Sequence, residues 1–544
     1  MPLDIAPPGA MRAEADGHRT ADPWARFERA ALTAPAAAAV TDGTVTYVYG
    51  EVHRRALALA GRLAARGAVP GERVLLCCER GVDAIVGVLA VAAAGAALVP
   101  VELDGPSERV RRIVSASAPR IALADAHGAD TAKACGVPTI RCDLPSDEGP
   151  TPDTARTATA RTATPAPPSL PAYVLFTSGS TGLPKGVEVT RANVAALLTG
   201  ADSWDTSAPG DVWACFHAFT FDIAMWEIWR PLTCGALLYV MPRASLIDGD
   251  LAFELAAKHR VNVLCHTPTA ARLLVDRVRH RGLPPDLRRL YLAGEQLAFG
   301  SLQPLVPAVR SGQLETWNLY GPTEASVYST GHRITADEIE GERRSLIGRA
   351  LPHARTDVRG TDADGVGELW IGGDGVAAGY FGDPALTAQC FADEPGGRVY
   401  RTGDVVRDIG DGVLEFLGRR GGFTKVRGYR VEPGEVAAAL CEHPAVGQAA
   451  ATVTDAFAWG PTLVAAVVCR PGALVAEVEL RRHAAERLPH YMRPGRIVFT
   501  EALPLLPSGK LDEAGLRAEV DRRLAVHPHT ADPGRRANSP QDSC

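Results

Sequence analysis

Short apolar runs alternate with longer amphipathic stretches along the first third of the chain. Val45-Thr46-Tyr47-Val48 reads as a strand, and the residues from there to Ala64 carry apolar positions at helical spacing. Val74 to Cys78 is a buried strand, Ala84 to Ala97 an alanine-rich helix ending near Gly95, and Leu98 to Val101 the next strand. Ile121 to Ala124 continues the series. This rhythm is that of βαβ units and predicts a parallel sheet covered on both faces.

The pattern breaks between Ser146 and Ser169, where Pro, Thr, Ala and Arg replace large apolar residues. Such a stretch cannot pack a core and is expected to be a flexible surface insert. Immediately afterwards Ala172 to Phe176 and Val187 to Thr190 form two β-type runs around Thr177-Ser178-Gly179-Ser180-Thr181-Gly182-Leu183-Pro184-Lys185-Gly186. Strand, small-residue loop and strand is the expected local structure. Glycine amides, hydroxyls and the mobile charge of Lys185 together suit phosphate. A Walker A loop is excluded in detail, because Pro184 precedes the lysine and Gly186 stands where a Ser/Thr would hold magnesium. Taken alone, the loop reads equally well as a solvated hairpin.

Further on, Phe216 to Trp229 is aromatic yet holds Asp222 and Glu227. Asp222 unpaired in such surroundings would be costly, so it should meet a cation or hydrogen-bond donors, or else cap a helix beginning at Ile223. His217 reads first as a packed histidine. Val261 to Cys265 and Arg289 to Ala293 are buried strands ending at His266-Thr267-Pro268 and Gly294-Glu295. Carboxyl ends of parallel strands make pocket walls. Tyr320-Gly321-Pro322-Thr323-Glu324 offers a ring that can stack and a carboxylate that can hold Mg²⁺. From Ser345 to Phe416, short β runs separated by glycine turns predict a small β-barrel or sheet that includes Asp404.

Composition narrows the class without choosing a chemistry. A hydrophobic content of 46% and a charged content of 22% describe a globular protein, and the net charge of −6 gives no reason to expect nucleic acid or a membrane surface as partner. Eleven cysteines without metal-ligand spacing suggest reduced thiols in the cytoplasm. No apolar segment approaches a membrane span.

The order and spacing of these motifs from Val45 to Asp512 resemble the adenylate-forming superfamily, and within it the amino-acid adenylation domains of nonribosomal peptide synthetases. The resemblance implies an α/β fold: a large N-terminal domain, residues 20–417, of two α/β subdomains plus a small β-barrel, and a smaller mobile α+β C-terminal domain, residues 418–526. Residues 1–19 and 527–544 are expected to be disordered. It further implies that Thr177, Ser178, Gly179, Ser180, Thr181, Gly182 and Lys185 close over the ATP phosphates. Asn318 and Tyr320 would contact adenine opposite Gly294 and Glu295. Thr323 would approach the α-phosphate, Glu324 the Mg²⁺, and Asp404 with Arg419 the ribose. Lys510 would bridge the substrate carboxylate and the phosphate. After a rotation of the C-terminal domain, Lys425 and Gly428 would face the site in its place. The family usually carries an acidic or lysine hinge where this chain has Gly421-Gly422, a pair able to absorb a large backbone change.

In α-amino-acid activators of this kind an aspartate at the place of Asp222 pairs with the substrate ammonium. The side-chain pocket, carried over by position, would be lined by Ile223, Trp226, Cys265, Tyr291, Ala293, Leu319, Val327 and Tyr328. None is charged and several are bulky, which favours a small neutral amino acid. A β-amino acid is the variant with a shifted amine. The stretch after Lys510 is too short for a carrier domain, so the expected partner is a separate carrier protein bearing phosphopantetheine, with a small helper protein as a further candidate. The rival readings are a CoA ligase and a non-catalytic nucleotide-binding relative.

Overall fold

A computed structural model describes residues 22–526, apart from residues 104, 106, 144–165, 178–183, 247, 343, 420–423, 427–428, 432, 455, 458–460 and 505–510. The side chains of residues 246, 424–426, 429–430 and 513–514 also lie outside the description. The chain forms two compact units, divided between Arg430 and Val431.

The larger unit contains two sheets. In a seven-stranded sheet, the strands Pro171–Thr177, Ala97–Pro100, Arg73–Cys77, Ile121–Ala124 and Thr139–Arg141 lie side by side in that order and in parallel. Arg73–Cys77, Ala97–Pro100 and Ile121–Ala124 are predicted βαβ strands, and their buried Val, Leu and Ala side chains explain why those runs are apolar. The strand expected at Val45 to Val48 belongs instead to the other sheet, where Thr46–Val48 pairs antiparallel with Ala38–Thr41 and so is no part of a βαβ unit. The helix between Arg73–Cys77 and Ala97–Pro100 begins at Val82 and ends at Ala93, before Gly95, whose φ of +70° stops it. Lys185–Thr190 turns back antiparallel on Pro171–Thr177, with Thr177 opposite Lys185. The predicted hairpin is therefore present, and its tip, residues 178–183, falls outside the described residues.

The second sheet has fourteen strands among the described residues. Its centre is parallel: Glu315–Tyr320, Arg289–Ala293, Val263–His266, Val212–Cys215 and Leu237–Val240, in that spatial order. The antiparallel strand Thr330–Ile334 follows Glu315–Tyr320 and pairs in turn with Leu346–Ala350. Through that pairing most strands of the 345–419 region extend the same sheet, while Gly379–Tyr380 joins the seven-stranded one. The appended β region is thus a sheet: among the described residues its strands run on in an open order and do not close a barrel. The physical reason is that Leu346–Ala350 has two pairing edges, one taken by Leu414–Arg419 and the other by the large sheet.

The smaller unit is α+β. Antiparallel Val446–Thr454 and Thr462–Cys469, with Arg496–Phe499 parallel to the latter, carry the helices Pro433–Cys441, Glu477–Ala485 and Glu513–Val526. Ala450, Val464, Ala466, Val498, Leu516 and Val520 form its core. No helix among the described residues is long and apolar enough to cross a membrane. The described cysteines are all free thiols.

Candidate active site

The carboxyl ends of the parallel strands in the large sheet gather most of the described candidate residues. Beyond Cys215 the chain runs through Phe216–Phe221 into the helix Asp222–Cys234. Beyond Ala293 lie Gly294 and Glu295, and beyond Tyr320 come Gly321, Thr323 and Glu324. Gly294 adopts a φ of +91°, which favours glycine. At Gly321 a Cβ would lie 2.5 Å from the Val327 carbonyl oxygen, so only glycine lets the returning backbone pack there. That return is itself strained: Ser326 and Val327 have φ of +55° and +71°, and a β-branched residue rarely occupies this region.

Asp222 is the first residue of its helix rather than the residue before it. Its Oδ1 accepts from the Ile223 amide at 2.8 Å, and its Oδ2 accepts from the Thr323 hydroxyl at 2.7 Å. Local capping and a long-range contact coexist in one carboxylate, and the second could not be read from helix chemistry.

Next to Thr323, Glu324 is fully buried. Its Oε1 accepts from the Tyr380 hydroxyl at 2.7 Å, and the Lys185 ammonium lies 3.6 Å from the same oxygen. Lys185 also donates to the Tyr380 hydroxyl at 3.2 Å and sits 4.6 Å from the centre of its ring. Tyr380 comes from the short strand Gly379–Tyr380, antiparallel to Lys185–Thr190. Sequence reasoning missed it: an isolated Gly-Tyr pair carries no signal until the strand pairing sets it between Lys185 and Glu324.

A second group forms at Asp404. The buried Tyr320 hydroxyl donates to its Oδ2 at 2.5 Å, and the Arg419 Nε lies 3.3 Å from its Oδ1. Burial, reinforced by the Asp404 carboxylate, pushes the Tyr320 phenol far above its usual range and keeps it a donor. Asn318 is turned to a structural use, donating to the Leu346 carbonyl at 2.7 Å. Glu295 accepts from the Thr269 amide at 2.8 Å, at the start of the helix Pro268–Arg281.

Ile223, Trp226, Cys265, Tyr291, Ala293, Leu319, Val327 and Tyr328 are all buried in one apolar cluster. Trp204, Trp213 and Trp317 join them, although the sequence reading did not select these three. Trp204 stacks on Trp226 with ring centres 5.7 Å apart and planes at 12°, and meets Trp317 at 5.5 Å. Trp213 packs on Trp226 and on Tyr291, each at 5.9 Å, and Trp226 meets the Tyr328 ring edge-on at 5.6 Å. Behind Tyr291 stands a charge: its hydroxyl donates to Asp205 at 2.6 Å, and the Arg230 guanidinium holds the same carboxylate at 2.5 Å. Burial and then Asp205 drive the Tyr291 phenol well above its ordinary range.

The Thr177 hydroxyl is buried without a hydrogen-bond partner among the described residues. Ser178, Gly179, Ser180, Thr181, Gly182, Gly421, Gly422, Gly428 and Lys510, together with the Lys425 side chain, lie outside the described residues.

A large unit of two sheets with parallel centres and a small α+β unit make up the architecture of the adenylate-forming superfamily. The chain belongs to the AMP-binding enzyme family, which matches residues 27–381, and the family's C-terminal domain matches residues 435–510. Members of the family are AMP-forming ligases that use ATP. The chain is 37% identical to novobiocin biosynthesis protein H of Streptomyces niveus over 90% of its own length and 81% of that protein. It is 34% identical to syringomycin synthase SyrB1 of Pseudomonas syringae pv. syringae, over 90% and 80%. Multimodular relatives are spanned only in part: 21% of a dimodular nonribosomal peptide synthase of Bacillus subtilis and 7% of malpinin synthetase of Mortierella alpina. Among solved structures, PA1221, a nonribosomal peptide synthetase protein containing adenylation and carrier domains, superposes with a TM-score of 0.77 at 26% identity, over 92% of this chain and 84% of that one. Its homologues are adenylation domains of nonribosomal peptide synthetases, which activate amino acids.

Proposed function

We propose that the protein activates a small neutral amino acid as its aminoacyl-AMP, releasing pyrophosphate, and passes the acyl group to the phosphopantetheine thiol of a separate carrier protein. The observation that carries this reading is Asp222, a carboxylate that opens the helix carrying Ile223 and Trp226 of the apolar, aromatic cluster and is held by the Ile223 amide and the Thr323 hydroxyl, as a partner for an ammonium should be. Asp222 fixes the amine, and the substrate carboxylate attacks the α-phosphate in line. Lys185 and the Ser178–Gly182 loop hold the departing phosphates, while Asp404 and Arg419, beside Tyr320, hold the ribose. The resemblance implies that Lys510 bridges the substrate carboxylate and the phosphate, where negative charge grows on the phosphoryl oxygens. A buried carboxylate is a hard oxygen donor that suits Mg²⁺, so Glu324 is the residue to hold it, with Thr323 beside it approaching the α-phosphate. Bound there, the ion would neutralise phosphate charge.

The close packing of Trp226, Tyr291, Leu319 and Tyr328 supports a short side chain. The resemblance to PA1221, whose name includes a carrier domain, supports a carrier thiol as acceptor. The test is amino-acid-dependent pyrophosphate exchange over proteinogenic, D-, β- and aryl acids, followed by transfer to a holo-carrier protein and to free CoA. Exchange with one small neutral amino acid and preferential carrier loading is the expected result. Efficient acyl-CoA formation makes the protein a CoA ligase instead, a preference for a β-amino acid moves the amine, and nucleotide binding without exchange identifies a non-catalytic relative.

A further inference from the structure

The segment that delivers Asp222, Cys215 to Phe221, is gripped from two sides. On one side, Arg80 stands just beyond the strand Arg73–Cys77 of the other sheet, and its guanidinium donates to the carbonyl oxygens of Cys215, at 2.6 Å, and of His217. The same guanidinium lies 5.7 Å from the centre of the Phe219 ring. On the other side, Glu227 is fully buried. Its Oε2 accepts from the amides of Phe216 and His217, each at 2.9 Å, and its Oε1 lies 2.8 Å from the His217 Nδ1. A third tie runs from the Thr220 hydroxyl to Glu102 at 3.0 Å.

Backbone carbonyls held by a cation and backbone amides held by an anion leave the segment little freedom. The cost of burying Glu227 is offset by these three bonds. Glu227 sits in the second turn of the helix that Asp222 opens, so the carboxylate that fixes the incoming loop also fixes its angle to the helix. Arg80 follows a strand of the other sheet, so the position of Asp222 is referenced to both sheets. We propose that Arg80 and Glu227 are positioning residues for amino-acid binding, acting through the placement of Asp222. The inference rests on the reading of Asp222 as the ammonium partner. An ion pair depends on placement within a few tenths of an ångström, and a shift of about 1 Å can cost on the order of 100-fold.

The test uses Arg80→Met, which keeps the stem and removes both donors, with Arg80→Lys as the conservative variant and Glu227→Gln as the second arm. Pyrophosphate exchange is measured with the best amino acid of the panel. The expected result is an amino-acid KM raised about tenfold or more in Arg80→Met, an ATP KM within about twofold of the parent, and partial recovery in Arg80→Lys. A purely structural role would instead lower the melting temperature and move both KM values together. Unchanged amino-acid KM in Arg80→Met, alongside a raised value in Asp222→Ala, overturns the positioning role alone. Unchanged KM in Asp222→Ala shows that the ammonium reading itself is wrong. Hydrogen–deuterium exchange over residues 216–222 decides the matter without any substrate: local acceleration in Arg80→Met and Glu227→Gln is expected, and parent-like protection refutes the clamp.

Discussion

Asp222→Asn separates the two uses that the structure gives this carboxylate. Asparagine has nearly the same shape, so the bonds to Ile223 and Thr323 can persist with the threonine hydroxyl reversed. Stability should therefore change little, with a melting shift of about 2 °C or less for a unit of this size. What is lost is the charge. Asp222 is partly exposed, so the full penalty of a buried ion pair does not apply. A charge-assisted hydrogen bond is worth about 1.5–3 kcal/mol, which converts to roughly 10- to 150-fold in binding. The amino-acid KM in pyrophosphate exchange should rise by that factor while the ATP KM stays near its parent value. An unchanged amino-acid KM, or a melting loss of many degrees, would refute the ammonium role and return Asp222 to helix capping.

Other outcomes follow from the same contacts. Tyr380→Phe removes the hydroxyl between Lys185 and Glu324, and loss of one bond to a buried carboxylate should lower kcat/KM for ATP by about tenfold or more; a parent-like value would remove Tyr380 from the site. Gly321→Ala drives a methyl into the Val327 carbonyl and should lower the melting temperature and exchange activity together, whereas full activity would show that the 326–329 backbone yields. Lys510→Ala should lose most adenylation yet still pass a preformed adenylate to a carrier, and undiminished adenylation would remove Lys510 from that role. Burial, then His217, pulls His266 from 6.5 down to about 3, and burial brings His353 to about 4. Below pH 6.5 the unfolded chain takes up protons that these folded sites refuse, so stability should fall by about 1.4 kcal/mol per pH unit for each histidine between pH 6.5 and 4. Melting curves from pH 7 to 4.5 measure the slope, and His353→Gln should reduce it; a flat profile would contradict the burial argument.

Much of the molecule was legible because its signals are local. Continuous apolar runs such as Arg289–Ala293 and Ile121–Ala124 became strands at the expected residues, since a strand buried on both faces needs apolar side chains throughout. The hairpin around the glycine-rich loop followed from two β runs and turn residues between them. Resemblance then attached roles to Asp222, Glu324 and Asp404, and the fold brought Glu324 beside Lys185 and Asp404 beside Tyr320 and Arg419.

Strand order decided the rest. Asp222 and Thr323 are separated by 101 residues, and Lys185 and Tyr380 by 195, so only the pairing of sheets makes them neighbours. The choice between barrel and open sheet lay in which edges Leu346–Ala350 would pair, a matter of hydrogen-bond register that no run of side chains encodes locally. Trp204 and Trp317 and the Asp205–Arg230 pair behind Tyr291 likewise come from separate elements. Periodicity and turn chemistry are written by near neighbours and survive in the sequence. Which distant side chains share a site is settled by the packing free energy of the whole fold.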